Sequence, residues 1–336
     1  MLPTDEVNVA PRLLITMGDV AGIGPEIIAR AWPELTTLSR PVVVGDPTWL
    51  NWAIRLVRSS ATVRMIQRPD ECVGTRDLIP CVTATQQDLT TVELAKVSAA
   101  AGRAAYDFLC AAIDWTREGL ADGIVTAPLH KEGLRAAGLH YPGHTEILAE
   151  RTGTKNFAML LSVPGLTVAH VTLHMALREV FQHLTTDRVL EKIRLLNEVT
   201  RRLENRDHPR IGVAALNPHA NDGGLFGDEE ERIIRPAVEA ARAEGVDATG
   251  PWPSDTLFSR ARKGEFDGVV AMYHDQGHIA LKLLGGMKAV NISAGLPIVR
   301  TSVAHGTAYD IAGRGIADGT SLVEAARVAA RLAKIS

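Results

Sequence analysis

Cysteine is scarce in this chain. Cys72, Cys81 and Cys110 are odd in number and have no CxxC spacing, which argues against both a disulfide framework and a cysteine zinc site and favours a reducing, cytoplasmic setting. Aromatic residues make up only 4% of the chain. No apolar run approaches the roughly 18 uncharged residues a membrane helix needs. The opening MLPTDEVNVAPR is acidic and lacks the apolar segment of a secretory signal or transit peptide. Excess positive charge is missing as well: 36 Lys and Arg face 39 Asp and Glu, for a formal charge of -3. No broad basic surface is therefore on offer to nucleic acid or an anionic membrane, and an anionic ligand must be met by a few local side chains. There is no HExxH, no internal repeat and no low-complexity linker.

What is present is an ordinary globular composition, 46% hydrophobic and 22% charged, over 336 residues. At roughly 150 residues per domain this length predicts two lobes with a cleft between them. Short apolar runs alternate with longer helical patterns: RLLIT (12–16), PVVVG (41–45), ATVRMI (61–66), DGIVTA (122–127), FAMLLS (157–162), LTVAHVTL (166–173), IGVAAL (211–216), DGVVAMY (267–273) and KAVNIS (288–293). That order is the pattern of an α/β protein with mainly parallel sheets, and the weak alternation within several runs fits strands covered on both faces. Helices are predicted over 26–32, with Pro25 in the first turn and Pro33 ending or kinking it, and over 97–118, 187–202, 229–244 and 321–333. The Ala-rich 97–118 segment predicts close packing against another helix. The domain reading is a loose tail over 1–11, a discontinuous first domain of 12–135 plus 288–336, and a second domain of 136–287.

Three histidines trail separate strand-like runs: His174, His219 and His274. In open α/β sheets ligands collect at the carboxyl ends of strands, so such residues converge although they are distant in sequence. Three neutral imidazoles suit a divalent metal that keeps an open position for water or substrate. Taken singly, each is more simply a satisfied strand-end histidine; the set of three favours the metal. Asp275, beside His274, is a further ligand or a partner of that imidazole. GHTE (143–146) reads as a helix N-terminus at which N–H groups, Thr145 and His144 meet a phosphate or carboxylate, or equally as an ordinary Thr145 cap. Lys282, Asn291 and Arg300 are surface residues one by one and an anion clamp as a set. ITMGDVAGIGPE (15–26), followed by Asp46 after the next strand, invites a dinucleotide fingerprint. Its glycines at 18, 22 and 24 do not form GxGxxG, and a tight turn before Pro25 accounts for them. HGTAYDIAGRGIAD (305–318) is by composition only a glycine-rich turn.

Taken together, GDVAGIGPEI, TAPLHKEGL, GHTEILAE, VTLHMALREV, LNPHANDGGLFGDEE, GPWPSDTLF, AMYHDQGH, NISAGLPIVRTS and HGTAYDIAGRG, running in order from residue 18 to 315, resemble the 4-hydroxythreonine-4-phosphate dehydrogenases of vitamin B6 synthesis and their relatives. GIGPE and HGTAYDIAGRGIAD also resemble isocitrate and isopropylmalate dehydrogenases. The resemblance implies a two-lobed α/β/α fold with its active site in the interdomain cleft. The implied reaction is metal-dependent, NAD- or NADP-linked oxidation and decarboxylation of a phosphorylated four-carbon hydroxy acid. It implies a divalent cation, zinc with magnesium or cobalt as alternatives, on His174, His219 and His274. Substrate contacts would come from His144, Thr145, Lys282, Asn291 and Arg300 with Asp255 and Asp275 nearby, and a homodimer would share the site. The nicotinamide would lie against His305, Gly306, Thr307, Asp310 and Gly313. Lys282 is the candidate for proton transfer, with Asp255 the weaker one. His278 stands where the vitamin B6 enzymes carry an apolar residue, and GHI is closer to the subfamily acting on 4-phospho-D-threonate or 4-phospho-D-erythronate. Ala304 replaces an acidic residue common in that loop. The rival readings are a metal-dependent hydrolase or aldolase without cofactor and a non-catalytic metal-binding module.

Overall fold

The computed structural model describes residues 10–334, so most of the 1–11 tail lies outside the described residues. The chain forms two compact units, 1–147 with 298–336 and 148–297.

The first unit contains β1 (Arg12–Thr16), α1 (Gly24–Leu38), β2 (Arg40–Val44), α2 (Pro47–Leu56), β3 (Thr62–Ile66), β4 (Leu78–Val82), α3 (Ala99–Arg117), β5 (Gly123–Thr126) and α4 (Lys131–Ala136). α5 (His144–Thr152) carries the chain into the second unit. That unit holds β6 (Ala158–Val163), β7 (Leu166–His170), α6 (Val180–His183), α7 (Thr186–Glu204), β8 (Ile211–Ala214), α8 (Arg235–Ala243), β9 (Ala248–Trp252), α9 (Ser254–Arg262), β10 (Gly268–Ala271), α10 (His274–Gly285) and β11 (Val290–Ala294). β12 (Arg300–Val303) and α11 (Thr320–Ala333) return to the first.

Strands of the first unit run in the order β3-β4-β2-β1-β5-β12, each neighbouring pair parallel. The chain leaves β1 toward β2, β4 and β3, then returns to β5 on the other side of β1. A crevice for ligands is expected at such a reversal, outside the carboxyl ends of β1 and β5. Leu13, Leu14 and Ile15 are fully buried, and Trp32 and Phe108 fill the layers beside the sheet. In the second unit the order is β11-β6-β7-β10-β8-β9, antiparallel through β6 and parallel from β7 onward.

Three expectations change. Residues 288–297 belong to the second unit rather than the first, because Val290–Ala294 pairs antiparallel with β6. Residues 136–147 belong to the first rather than the second. α1 continues through Pro33 to Leu38, its buried face of Ile27, Ile28, Ala31, Trp32 and Leu35 outweighing the one backbone bond that proline removes. The Ala-rich α3 does approach another helix closely: a Cβ built on Gly102 would stand 2.1 Å from the Gly133 carbonyl oxygen in α4. Three strands carry weak sequence signals: LIPCV of β4 and ATGPW of β9 contain proline, and RTSV of β12 is short and polar.

Candidate functional site

In the second unit β7, β10 and β8 are adjacent parallel strands, so their carboxyl ends lie about 4.8 Å apart from one to the next. His174 follows β7, His274 opens α10 just after β10, and His219 sits in the loop after β8. The rings of His174 and His274 lie 5.8 Å apart. Two imidazoles on one zinc at about 2.0–2.1 Å hold their ring centres about 5–6 Å apart, so this pair fits a shared cation. Asp275 Oδ1 is 2.6 Å from His274 Nδ1, which fixes the ring and leaves its Nε2 for a ligand. Both imidazoles line a hollow of about 330 Å3 together with Tyr273 and Val180.

His219 is held differently. Residues 219–222 all have positive φ, between 45° and 67°, a costly left-handed run for non-glycine residues and one that recurs at functional sites. The loop is tied down by Glu230, a fully buried carboxylate in the π-helical turn Glu230–Ile234. Its Oε1 accepts from the Leu216 and Asn217 amides at 2.8 and 2.7 Å. The His219 ring rests against Phe226, 6.3 Å between centroids. Among the described residues no three His, Cys, Asp or Glu side chains are grouped to hold a metal ion. This chain brings together two of the three predicted ligands.

Beside that pair stand two imidazoles whose role the sequence reading missed. His278, one helical turn beyond His274, stacks on its ring at 3.9 Å and 11°. His278 Nδ1 lies 3.1 Å from Nε2 of buried His170, at the end of β7. Burial, then His278 and His274, push the His170 pKa down to about 3. Burial, then His274 and Lys282, push that of His278 down to about 4. Both are neutral at pH 7. The i, i+4 spacing in HDQGH was the available signal. Gln276, on the same helix, donates to the Ala215 carbonyl and Ser254 Oγ while accepting from the Met272 amide, locking the starts of α9 and α10 to the end of β8.

Arg300, His144 and Thr145, expected to meet an anion, lie in the first unit. GHTE does open a helix, with His144 the first residue of α5. Buried Arg300, at the start of β12, donates from Nη2 to Thr126 Oγ1 at 2.7 Å. Burial brings its pKa down to about 9, opposed by the Glu146 carboxylate, so it stays cationic at pH 7. Desolvation and then Arg300 hold the His144 pKa well below its usual range, against a hydrogen bond with the Ala127 backbone. The result is a fixed guanidinium beside a neutral imidazole at a helix N-terminus, chemistry suited to a phosphate or carboxylate.

The loop from His305 to Gly313 meets the start of α1. Thr307 O accepts from the Ile23 amide at 3.0 Å, and Glu26 accepts from the Gly313 and Gly315 amides. His305 Nδ1 lies 2.9 Å from the Gly306 carbonyl, while its Nε2 is buried with no hydrogen-bond partner; Gly306 is open to solvent and Asp310 is exposed. Sequence reasoning missed the neighbouring Asp19, Tyr309 and His130. Tyr309 donates to buried Asp19 at 2.7 Å and stacks on His130 at 4.7 Å. Burial raises the Asp19 pKa against the hydrogen bonds from Tyr309 and Ala21. The remaining predicted residues lie in the second unit: Lys282 exposed on α10, Asn291 half-buried in β11, Asp255 exposed in the first turn of α9.

Residues 37–329 match the model of the family described as pyridoxal phosphate biosynthetic protein PdxA. The chain belongs to this family. It is similar to the 4-hydroxythreonine-4-phosphate dehydrogenase of Beijerinckia indica, 51% identical over 95% of this chain and 94% of that one. It is also similar to the D-threonate 4-phosphate dehydrogenase of Cupriavidus necator, 48% identical over 96% and 97%. Among solved structures, the 4-hydroxythreonine-4-phosphate dehydrogenase of Klebsiella pneumoniae superposes with a TM-score of 0.88 at 44% identity, covering 97% of this chain and 98% of that one. The PdxA chain shares its α/β fold with that solved structure.

Proposed function

We propose that this PdxA chain is a cytoplasmic, metal-dependent NAD(P)-linked dehydrogenase that oxidises the 3-hydroxyl of a phosphorylated four-carbon hydroxy acid, with loss of carbon dioxide from the 3-keto product. The observation that carries the reading is the His174–His274 pair beside its hollow at adjoining strand ends, in a chain so similar to two named phospho-acid dehydrogenases. When bound, a divalent cation such as zinc, magnesium or cobalt would supply Lewis-acid charge at the substrate oxygens, and a nicotinamide dinucleotide would accept the hydride.

His174, His274 and His219 would hold the cation, with Asp275 orienting His274. Arg300, His144 and Thr145 would bind the substrate's anionic end, assisted by Asn291. Lys282 would take the proton released from the hydroxyl, with Asp255 as the alternative acceptor. His305, Gly306, Thr307, Asp310 and Gly313 would receive the nicotinamide; the buried, unpartnered His305 Nε2 fits such a contact. A second copy of this chain would complete the ligand set, and its docking is supported by exposed Leu177, Phe181, Leu225, Ile279 and Leu283 in the second unit.

4-Hydroxythreonine 4-phosphate is the first candidate substrate. D-threonate or D-erythronate 4-phosphate is the second, favoured by His278 within the histidine cluster. Steady-state assays of the metal-loaded protein with the three acids, each with NAD and NADP, test the reading through absorbance of the reduced nicotinamide. Turnover of one phosphorylated acid and not of its dephosphorylated form is expected. No absorbance change in any combination would refute it.

A further inference from the structure

Alternate residues of a strand share a face, so Val168 and His170 of β7 point to the same side, and α10 packs against them at Gly277. A Cβ built on Gly277 would stand 2.3 Å from His170 Nε2 and 2.9 Å from Val168 Cγ1. Glycine at this position is what lets the helix come down over the imidazole, and it is held there at a cost in helix propensity. His170 is 1% exposed. It lies opposite Ala271 in the pairing of β7 with β10, three residues before His274.

The space so made holds a polar ring where an aliphatic side chain would pack. Nδ1 of His170 is buried with no hydrogen-bond partner, a cost that a leucine of similar size avoids. Among the described residues Nε2 has one side-chain partner, Nδ1 of His278 at 3.1 Å. His278 in turn stands between two rings, 4.5 Å from His170 at 44° and 3.9 Å from His274 at 11°. The other hold on His274 is Asp275, whose side chain is 69% exposed, so water competes for that hydrogen bond. The restraint on His274 from the interior therefore passes from β7 through His170 and His278.

We propose that His170 is a positioning residue: seated in the gap that Gly277 leaves, it fixes His278 by a hydrogen bond and, through that ring, the aim of His274 at the cation. The proposal rests on the metal reading above, and the test separates the two. The full-length protein is freed of metal with a chelator and titrated with cobalt(II), whose visible absorption reports the geometry of its histidine ligands. His170→Leu fills the space without the nitrogen. It should weaken cobalt binding about ten-fold, as loss of a group that orients a ligand does, and should shift the visible band. His170→Gln places an amide where Nε2 stood and should recover most of the affinity. Gly277→Ala, which drives a methyl group into the imidazole from the helix side, should weaken binding as His170→Leu does.

If His170→Leu does not fold, Gly277→Ala decides, since alanine favours the helix it enters. Wild-type cobalt affinity and an unshifted band in both variants overturn the proposal and leave the metal reading standing. A lower thermal midpoint with unchanged cobalt binding does the same, because it shows that His170 serves packing alone. Equal losses in His170→Gln and His170→Leu overturn it as well, by removing the hydrogen bond as the cause. A wild-type protein that binds no cobalt removes the metal reading itself, and the positioning role with it.

Discussion

His170 and His278 show how a few atoms can set the pH response of a whole chain. Each imidazole has lost most of its water and faces other imidazoles, so protonation in the native state waits until about pH 3 and about pH 4. In the unfolded chain both groups protonate near their ordinary 6.5. As pH falls below 6.5 the unfolded state therefore binds more protons than the native one. The stability tied to the neutral pair is complete above that pH and is lost progressively down through about pH 4. In metal-free protein, His278→Leu should flatten the fall of the thermal midpoint between pH 6.5 and 4.5, because one of the two depressed groups is gone and the other loses its facing imidazole. Circular dichroism melts at a series of pH values read this directly. An equally steep fall in the variant would remove the pair as its source.

The loop after β8 shows a local element that owes its form to one distant carboxylate. Glu230→Ala leaves the part-buried Leu216 and Asn217 amides without their acceptor, a cost at the lower end of about 1–3 kcal/mol. The thermal midpoint should drop by several degrees and turnover should fall, since the loop carries His219; Glu230→Gln keeps a carbonyl acceptor and should recover part of both. Equal melting of wild type and Glu230→Ala would show that the loop is held by something else. Glu230 closes the LNPHANDGGLFGDEE segment, but its role was not legible, because its partners are backbone amides 13 and 14 residues away. The strands read well where burial on both faces leaves a run of Val, Ile and Leu, as in LLI and VVV of β1 and β2. They were missed where proline or polar residues broke the run, as in β4, β9 and β12. His174 and His274 were legible as strand-end residues because parallel pairing of β7 with β10 makes adjacency in the sheet do the work of adjacency in sequence. Asp19, His130 and Tyr309 lie in the quoted segments GDVAGIGPEI, TAPLHKEGL and HGTAYDIAGRG, but their mutual contact was not legible, since no spacing or periodicity brings those three segments together.

Taken as one molecule, the chain has a near-neutral charge of -3 and no broad excess of basic residues, yet it leaves large apolar side chains in water. Ile279 is 58% exposed, Leu283 82% and Met287 50%, spaced four apart along α10 and the turn that follows it. Such a stripe is a cost for a free monomer and a ready face for association. The metal reading asks for the same thing from another direction, because His174 and His274 meet while no third ligand joins them among the described residues. In the proposed dimer, a second copy of the chain would answer both. Leu283→Glu puts a charge in the middle of that stripe without touching a proposed ligand, so it should convert dimer to monomer in sedimentation velocity and carry turnover down with it, while circular dichroism stays that of the native fold. A wild-type protein that sediments as a fully active monomer, or a Leu283→Glu dimer with unchanged turnover, would mean that α10 faces water in the working enzyme and that the cation's remaining ligand must come from within a single chain.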